Sequence, residues 1–230
     1  MRRSIPSELK NCLEDHRLWL ESHGKQGHRA KLKGFDLSDL DLQGVKLEGA
    51  HLAGADMSRI QLRAADLTDA NLQGCCLEHA GLQWTNLAGA NMTEVSVAGA
   101  HLQFTNFSAT TLKSADFENA RMHNTWFWRS VCTETDFSRT CFHFVSFASA
   151  LLQRALFERA VFRHTEFDDA SLEACNFSNA SIALCNMKGA RFYQCDFSGT
   201  ELVEIDLPAA NYDNNSFPAS ILNPARIKIS

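Results

Sequence analysis

Residues 65–74 read ADLTDANLQG, two near copies of a five-residue unit. Neither regular element has a period of five. An α-helix advances about 100° per residue, so side chains five apart drift around its surface and form no buried stripe. A continuous strand alternates faces at every residue, so an odd spacing would send successive leucines to opposite faces. A short extended segment followed by a bend resolves the conflict. Two alternate residues then point inward, the bend resets the direction, and the chain coils.

The same frame runs through most of the sequence. From Leu37 to Leu207 every fifth residue is Leu, Phe, Met, Val, Ile or, once, Cys132, giving 35 consecutive centres without a slip. A fixed period held over that length is the signature of a solenoid. Two residues before each centre the side chain is usually Ala, as at Ala50, Ala65, Ala70 and Ala190, or a near-isosteric Thr, Cys, Ser or Val; Phe35, Leu40, Ile60 and Ile205 are larger. Immediately before the centre Asp or Asn recurs, as at Asp36, Asp66, Asn86, Asp116 and Asp196. Such side chains bond nearby backbone amides and fix bends.

Units such as ADLTD, ANLQG, ADFEN and CDFSG follow A-(D/N)-(L/F)-x-x, and on that pattern residues 35–209 resemble the pentapeptide-repeat family. The resemblance implies an all-β solenoid, a right-handed quadrilateral β-helix with one unit per side, about 20 residues per coil and about nine coils. At about 4.8 Å between stacked strands the rod would be roughly 42 Å long. The residues carry their own sign of an even-sided coil. Phe centres at 107, 117, 127, 137, 147, 157, 167, 177 and 197 recur every ten residues and so map to two opposite sides. Leu fills the early coils and Phe the later ones, where stacked rings can pack offset.

A rod of this kind exposes apolar interior and unpaired strand groups at its ends unless they are covered. Three segments follow: a leader with a capping helix over 1–34, the β-helix over 35–209, and a capping tail over 210–230. In SELKNCLEDHRLWLESH, residues 7–23, Ser7 reads as an N-cap after Pro6. Leu9, Cys12, Leu13 and Leu20 share roughly one helical side, and the helix stops before Gly24. HRLWLESHGKQGHRAKL and NYDNNSFPASILNP resemble leaders and tails of bacterial family members. An end-to-end homodimer through one terminus stays open.

The 230 residues are 45% apolar and 21% charged, with a formal net charge of −5, which excludes a compositionally disordered chain. No run is long enough to span a membrane and the N-terminus lacks the apolar stretch of a secretory signal, so the expected location is the cytoplasm. Cys75, Cys175, Cys185 and Cys195 sit at the small inward position and Cys132 at a centre, reading as reduced, buried fillers; Cys175 and Cys195 stack in adjacent coils. There is no Gly-rich phosphate loop, H-E-x-x-H, C-x-x-C or nucleophile elbow, and the reading is a non-enzyme without cofactor. His123 and His143 stack, yet no third ligand stands at suitable spacing, so no metal is expected.

The resemblance also implies a function to weigh. The family's quinolone-resistance members mimic DNA in shape and charge, occupy the DNA saddle of DNA gyrase and other type II topoisomerases, protect them from poisons such as quinolones, and dimerise through their C-terminal ends. Between Lys31 and Ala210 this chain has 22 acidic and 14 basic residues. The resulting −8 is dilute beside roughly 25 charges for the same length of DNA. Residues 101–163 carry five acids against seven bases, and Arg121, Arg129, Arg139, Arg154, Arg159 and Arg163 would interrupt a phosphate-like stripe.

Folding the sequence at 20 residues per coil offers a different surface. Trp84, Phe104, Asn124, Phe144, His164 and Leu184 fall into one outward column, beside Gln83, Gln103, His123, His143 and Arg163. Trp126 and Trp128 flank inward Phe127 next to Arg129. Aromatics rimmed by Gln, His and Arg suit a protein-binding face. The reading is therefore a scaffold that binds a macromolecular partner, a protein rather than nucleic acid or membrane, through its outer faces. The alternative is the topoisomerase-binding DNA mimic.

Overall fold

A computed structural model describes residues 3–207, 215 and 227–229. Its local unit is the one the period of five demands. Each centre from Leu32 to Leu202 is buried, and the chain bends immediately after it. At Leu67 the bend is closed by Ala70 N–H donating to the Leu67 carbonyl at 3.0 Å, and Asp69 between them takes φ +54. The same left-handed residue recurs two places after every described centre, as Gly in some units (Gly74, φ +64) and as a larger residue in most. The Asp or Asn before the centre locks the bend from outside: Asp116 Oδ1 accepts from Glu118 N at 2.8 Å, and Asn176 Oδ1 from Ser178 N at 2.8 Å.

Stacking follows one rule throughout. Residue i pairs in parallel with residue i+20, from Lys31↔His51 to Ala183↔Val203. The chain thus winds as a right-handed quadrilateral β-helix with no bulge in the described repeat. Side one carries the centres from Leu42 to Leu202 in steps of twenty; side two starts at Leu47, side three at Leu32 and side four at Leu37.

Opposite sides share one bend chemistry. Sides two and four close their turns through to Thr200 N–H on the Phe197 carbonyl. On sides one and three the later coils open that bond and straighten into three-residue strands. Side one holds β1 (Arg121–His123), β2 (Cys141–His143), β4 (Val161–Arg163), β6 (Ser181–Ala183) and β8 (Glu201–Val203). Side three holds β3 (Leu151–Gln153), β5 (Ser171–Glu173) and β7 (Arg191–Tyr193). Several Thr and Cys residues at the small inward position are more than fillers. Thr105 Oγ1 donates to the Leu82 carbonyl one coil earlier at 2.7 Å, and Cys175 Sγ to that of Leu152 at 3.0 Å.

The early coils are filled mainly by Leu, and the later ones are built on two long phenylalanine stacks. On side two, Phe107, Phe127, Phe147 and Phe167 follow at 4.9, 4.8 and 5.4 Å. On side four, Phe117 to Phe197 run at 4.7–5.3 Å, and the stacks meet edge-on, with Phe127 and Phe137 at 85°. All eight cysteines are free, and burial pushes the Cys132 thiol up to about 12 and the Cys75 and Cys185 thiols to about 11.

Helix α1 (Ser7–Glu21) lies over the first coil, with Leu9 buried and Ile5, Cys12 and Leu13 packed against the core. Ser7 is not the N-cap. Pro6 holds that position with no side-chain cap bond, because its fixed φ (−60) already sets the entry to the helix. The helical residue most deeply buried, after all, is polar: His16 is fully buried, its Nδ1 accepts from Ala30 N at 3.1 Å, and its Nε2 has no partner. Burial, then the Arg29 charge, hold it below the ordinary histidine range. The unfolded chain therefore binds this proton first, and the cap keeps full stability above about pH 6.5 and loses it as pH falls further. The protection of the Ala30 and Leu32 amides, taken against intrinsic exchange at the same pH, should fall on acidification, and His16→Gln, which cannot titrate there, should remove that fall.

At the other end Asn215 imitates the next coil. Its Oδ1 accepts from Cys195 N at 2.8 Å and its Nδ2 donates to the Phe192 carbonyl at 3.1 Å. β9 (Ile205–Leu207) also pairs in parallel with β10 (Ile227–Ile229). The rest of the expected capping tail lies outside the described residues.

Candidate functional site on side one

The twenty-residue register brings the predicted column together. Trp84 and Phe104 stack at 4.0 Å with planes 10° apart, and Phe104 reaches His123 at 6.2 Å. His123 meets His143 at 4.9 Å and Phe144 at 5.8 Å; His143 and Phe144 stack at 4.5 Å, and Phe144 stacks on His164 at 4.8 Å. Six rings thus form one continuous outward chain over five coils. Trp84 is 53% exposed, Phe144 47% and Leu184 45%, so this packing leaves their edges to solvent.

The column has a conformational cost. Trp84, Phe104, Phe144 and Leu184 occupy the left-handed bend position, at φ +64, +56, +53 and +56. That region costs a residue with a Cβ about 1–2 kcal/mol, and Gly or Asn would relieve it. Elsewhere in the array the same position holds Gly at Gly44, Gly49 and Gly54, short residues such as Asp69 and Asn119, or long charged ones such as Arg59, Glu94 and Arg154. Bulky rings here lie outside the core, so core stability does not explain them.

Electrostatics separate by side. Arg59, Arg139, Arg154 and Arg159 are paired with Asp39, Glu118, Glu134 and Glu158 at 2.5–3.5 Å. Among the described residues Arg63, Arg121 and Arg163 of side one make no ion pair, because side one has no outward Asp or Glu between Gln61 and Leu184. The arginines grouped into a belt by the sequence are distributed over four sides. Arg139 and Arg159 fall on side four, which still collects nine carboxylates against three guanidiniums. That side is the acidic one.

A shallow groove of about 300 Å³ opens beside the column, lined by Gln43, Gln61, Arg63, Gln83 and Trp84. Gly81 leaves room for the Gln61 side chain, which a Cβ there would strike. Burial, then the neighbouring His123, His164 and Arg163, lower the pKa of His143. Among the described residues no cluster of three or more ligating side chains is placed to hold a metal.

Arg163 follows His143 in register on this side, and Asn124 Nδ2 donates to His123 Nδ1 at 2.8 Å. Trp126 (43% exposed) and Trp128 (48% exposed) are on side two, not on side one, with the Arg129 guanidinium 5.2 Å from the centre of the Trp128 ring. Sequence reasoning missed Arg63, Gln43 and Gln61, and missed the absence of acids. Reading outward residues side by side at period twenty would have found all of these.

The structure defines a four-sided β-solenoid whose distinctive surface is a ring-lined side without acids between Gln61 and Leu184. Pentapeptide repeats (8 copies) match residues 28–59, 41–82, 75–113 and 115–154, and Pentapeptide repeats (9 copies) match 157–201. The chain belongs to the pentapeptide-repeat family. Two solved structures share its fold. HetL from the cyanobacterium Nostoc sp. strain PCC 7120, a pentapeptide repeat protein involved in heterocyst differentiation regulation, aligns at 19% identity over 81% of this chain and 89% of its own, TM-score 0.51. A trypsin-treated variant of QnrB1, a plasmid-mediated fluoroquinolone resistance protein, aligns at 17% identity over 68% and 82%, TM-score 0.54. No curated protein sequence matches the chain significantly. Among the described residues no helix is long and apolar enough to cross a membrane.

Proposed function

We propose that this chain is a non-enzymatic docking rod of the cytoplasm that binds a protein partner through side one. One observation carries the reading: the six-ring chain from Trp84 to His164 is in register on the surface, and four of its rings, Trp84, Phe104, Phe144 and His164, stand at left-handed bend positions. Interface energy concentrates in a few aromatic anchors, and Trp84 and Phe144 are the exposed Trp and Phe of the column. Trp84→Ala combined with Phe144→Ala should leave the circular dichroism and melting temperature nearly unchanged, since both rings lie outside the core and Ala keeps the Cβ at the bend. Capture of the partner from host extract should fall by about 100-fold, two anchors at roughly 1.4 kcal/mol each per tenfold.

The carboxylates of side four support a second reading, binding to a type II topoisomerase in place of DNA. The same experiment separates the two. If the aromatic variant retains its partner while Asp116→Lys with Asp136→Lys loses it, side four is the binding face.

A further inference from the structure

We propose that side one docks an acidic, extended protein segment lying along the rod axis, and that protonation of its histidines strengthens the docking. The inference rests on side one being the binding side and adds the chemistry of what binds there.

Three observations converge on it. First, the cations of side one are uncommitted: Arg63, Arg121 and Arg163 have no carboxylate partner, although ion pairs between successive coils are the habit elsewhere in the rod, as with Arg59 and Asp39 or Arg154 and Glu134. A complementary anion supplied by another chain would meet no like charge on this side. Second, the rings are stacked on one another. Trp84 lies against Phe104 and Phe144 against His164, so one face of each is taken and ring edges, the electropositive part of an aromatic, are presented beside the amides of Gln61 and Gln83. Edges suit carboxylate and carbonyl oxygens. Nucleobases would need the ring faces that this stacking partly uses. Third, Arg63 and Arg163 are five coils apart, roughly 24 Å, which an extended segment of about seven residues spans.

The histidines make the attraction conditional. His143 faces Arg121 and His123 from β1, Cys141 on its own strand, and Arg163 and His164 from the β4 coil, with no carboxylate among them. Asn106, Trp126, Ser146 and Glu166 stand across the corner on side two. Surrounded this way, His143 resists protonation in the free protein. A bound anion reverses that bias, so docking and proton uptake favour each other. Glutamates, at about 4.3, stay ionised through the range in which histidines gain charge.

The test is an NMR titration of the isotope-labelled full chain with a peptide of about eight residues alternating glutamate and leucine, compared with its lysine counterpart and with oligothymidylate. The glutamate peptide is expected to shift the amides of Gln83, Gln103, His123, His143 and Arg163, and to bind about fivefold more tightly at about pH 5.5 than at about pH 7.5. Joint replacement of Arg63, Arg121 and Arg163 by Gln should weaken it by about tenfold or more. His123→Gln, His143→Gln and His164→Gln together should erase the gain at low pH while sparing binding at the higher pH. Equal binding of the lysine peptide, tighter binding of oligothymidylate, or no shifts on side one at millimolar peptide would each overturn the proposal. A natural partner that depends on Trp84 and Phe144 but tolerates the three arginine replacements leaves the docking rod standing and removes the acidic segment. A partner indifferent to Trp84 and Phe144 removes the docking rod, and the titration of the isolated chain still decides this proposal.

Discussion

Phe147→Ala is expected to destabilise the rod by about 3–5 kcal/mol, read as a drop in the urea midpoint with melting followed by circular dichroism. Phe147 is fully buried and touches five other rings: Phe127 and Phe167 stacked at 4.8 and 5.4 Å, and Phe137, Phe142 and Phe157 edge-on at 5.5–6.2 Å. Neighbouring coils are pinned by bonds to the coils on either side, as with Phe147 N–H on the Glu166 carbonyl at 2.7 Å, so they cannot close over the void. The cavity therefore persists and adds to the lost transfer energy. Phe147→Leu should cost clearly less. A loss below about 1 kcal/mol for the alanine variant would mean that the phenylalanine stacks are not the packing unit of the later coils.

Removing residues 121–125 is expected to abolish partner binding through side one without unfolding the chain. Every unit offers one large and one small inward residue, so a five-residue deletion keeps the interior apolar and moves everything after it back by one side. Trp84 and Phe104 would stay on side one while Phe144, His164 and Leu184 would turn onto side four. Removing residues 121–140, a full coil, costs more chain but preserves alignment and sets Phe144 directly after Phe104 in the column. The full-coil deletion should therefore retain binding to within about tenfold where the shorter one loses about 100-fold or more. Intact circular dichroism with that order reversed would show that the column is not the docking element.

These expectations depend on features the sequence carries with unequal clarity. The coil was legible because buried centres leave no freedom: one polar residue at Leu87 or Phe137 would have broken the frame, and none occurs. Trp84, Phe104 and Phe144 could be aligned for the same reason, once twenty residues were taken as one turn. Ser7 was misread because its residue type suits a cap, whereas Pro6 fixes the backbone there. His16 was invisible because a histidine on a helix reads as surface, and only the fold of the leader back over α1 places Ala30 N–H against it. The roles of Thr105 and Cys175 were likewise hidden, since a hydroxyl or thiol of alanine-like size declares its acceptor only when the coil before it is in place.

The i to i+20 pairing also shapes how such a chain can be born. Apart from the leader and the C-terminal strand, each stretch needs only the stretch just before it, so sequence separation between partners never grows with length. The leader with α1 is made before the opening coil and covers it, giving the nascent chain a finished surface on which to wind. Growth can then keep pace with synthesis, about one turn per twenty amino acids added, and little apolar surface ever waits for a distant partner.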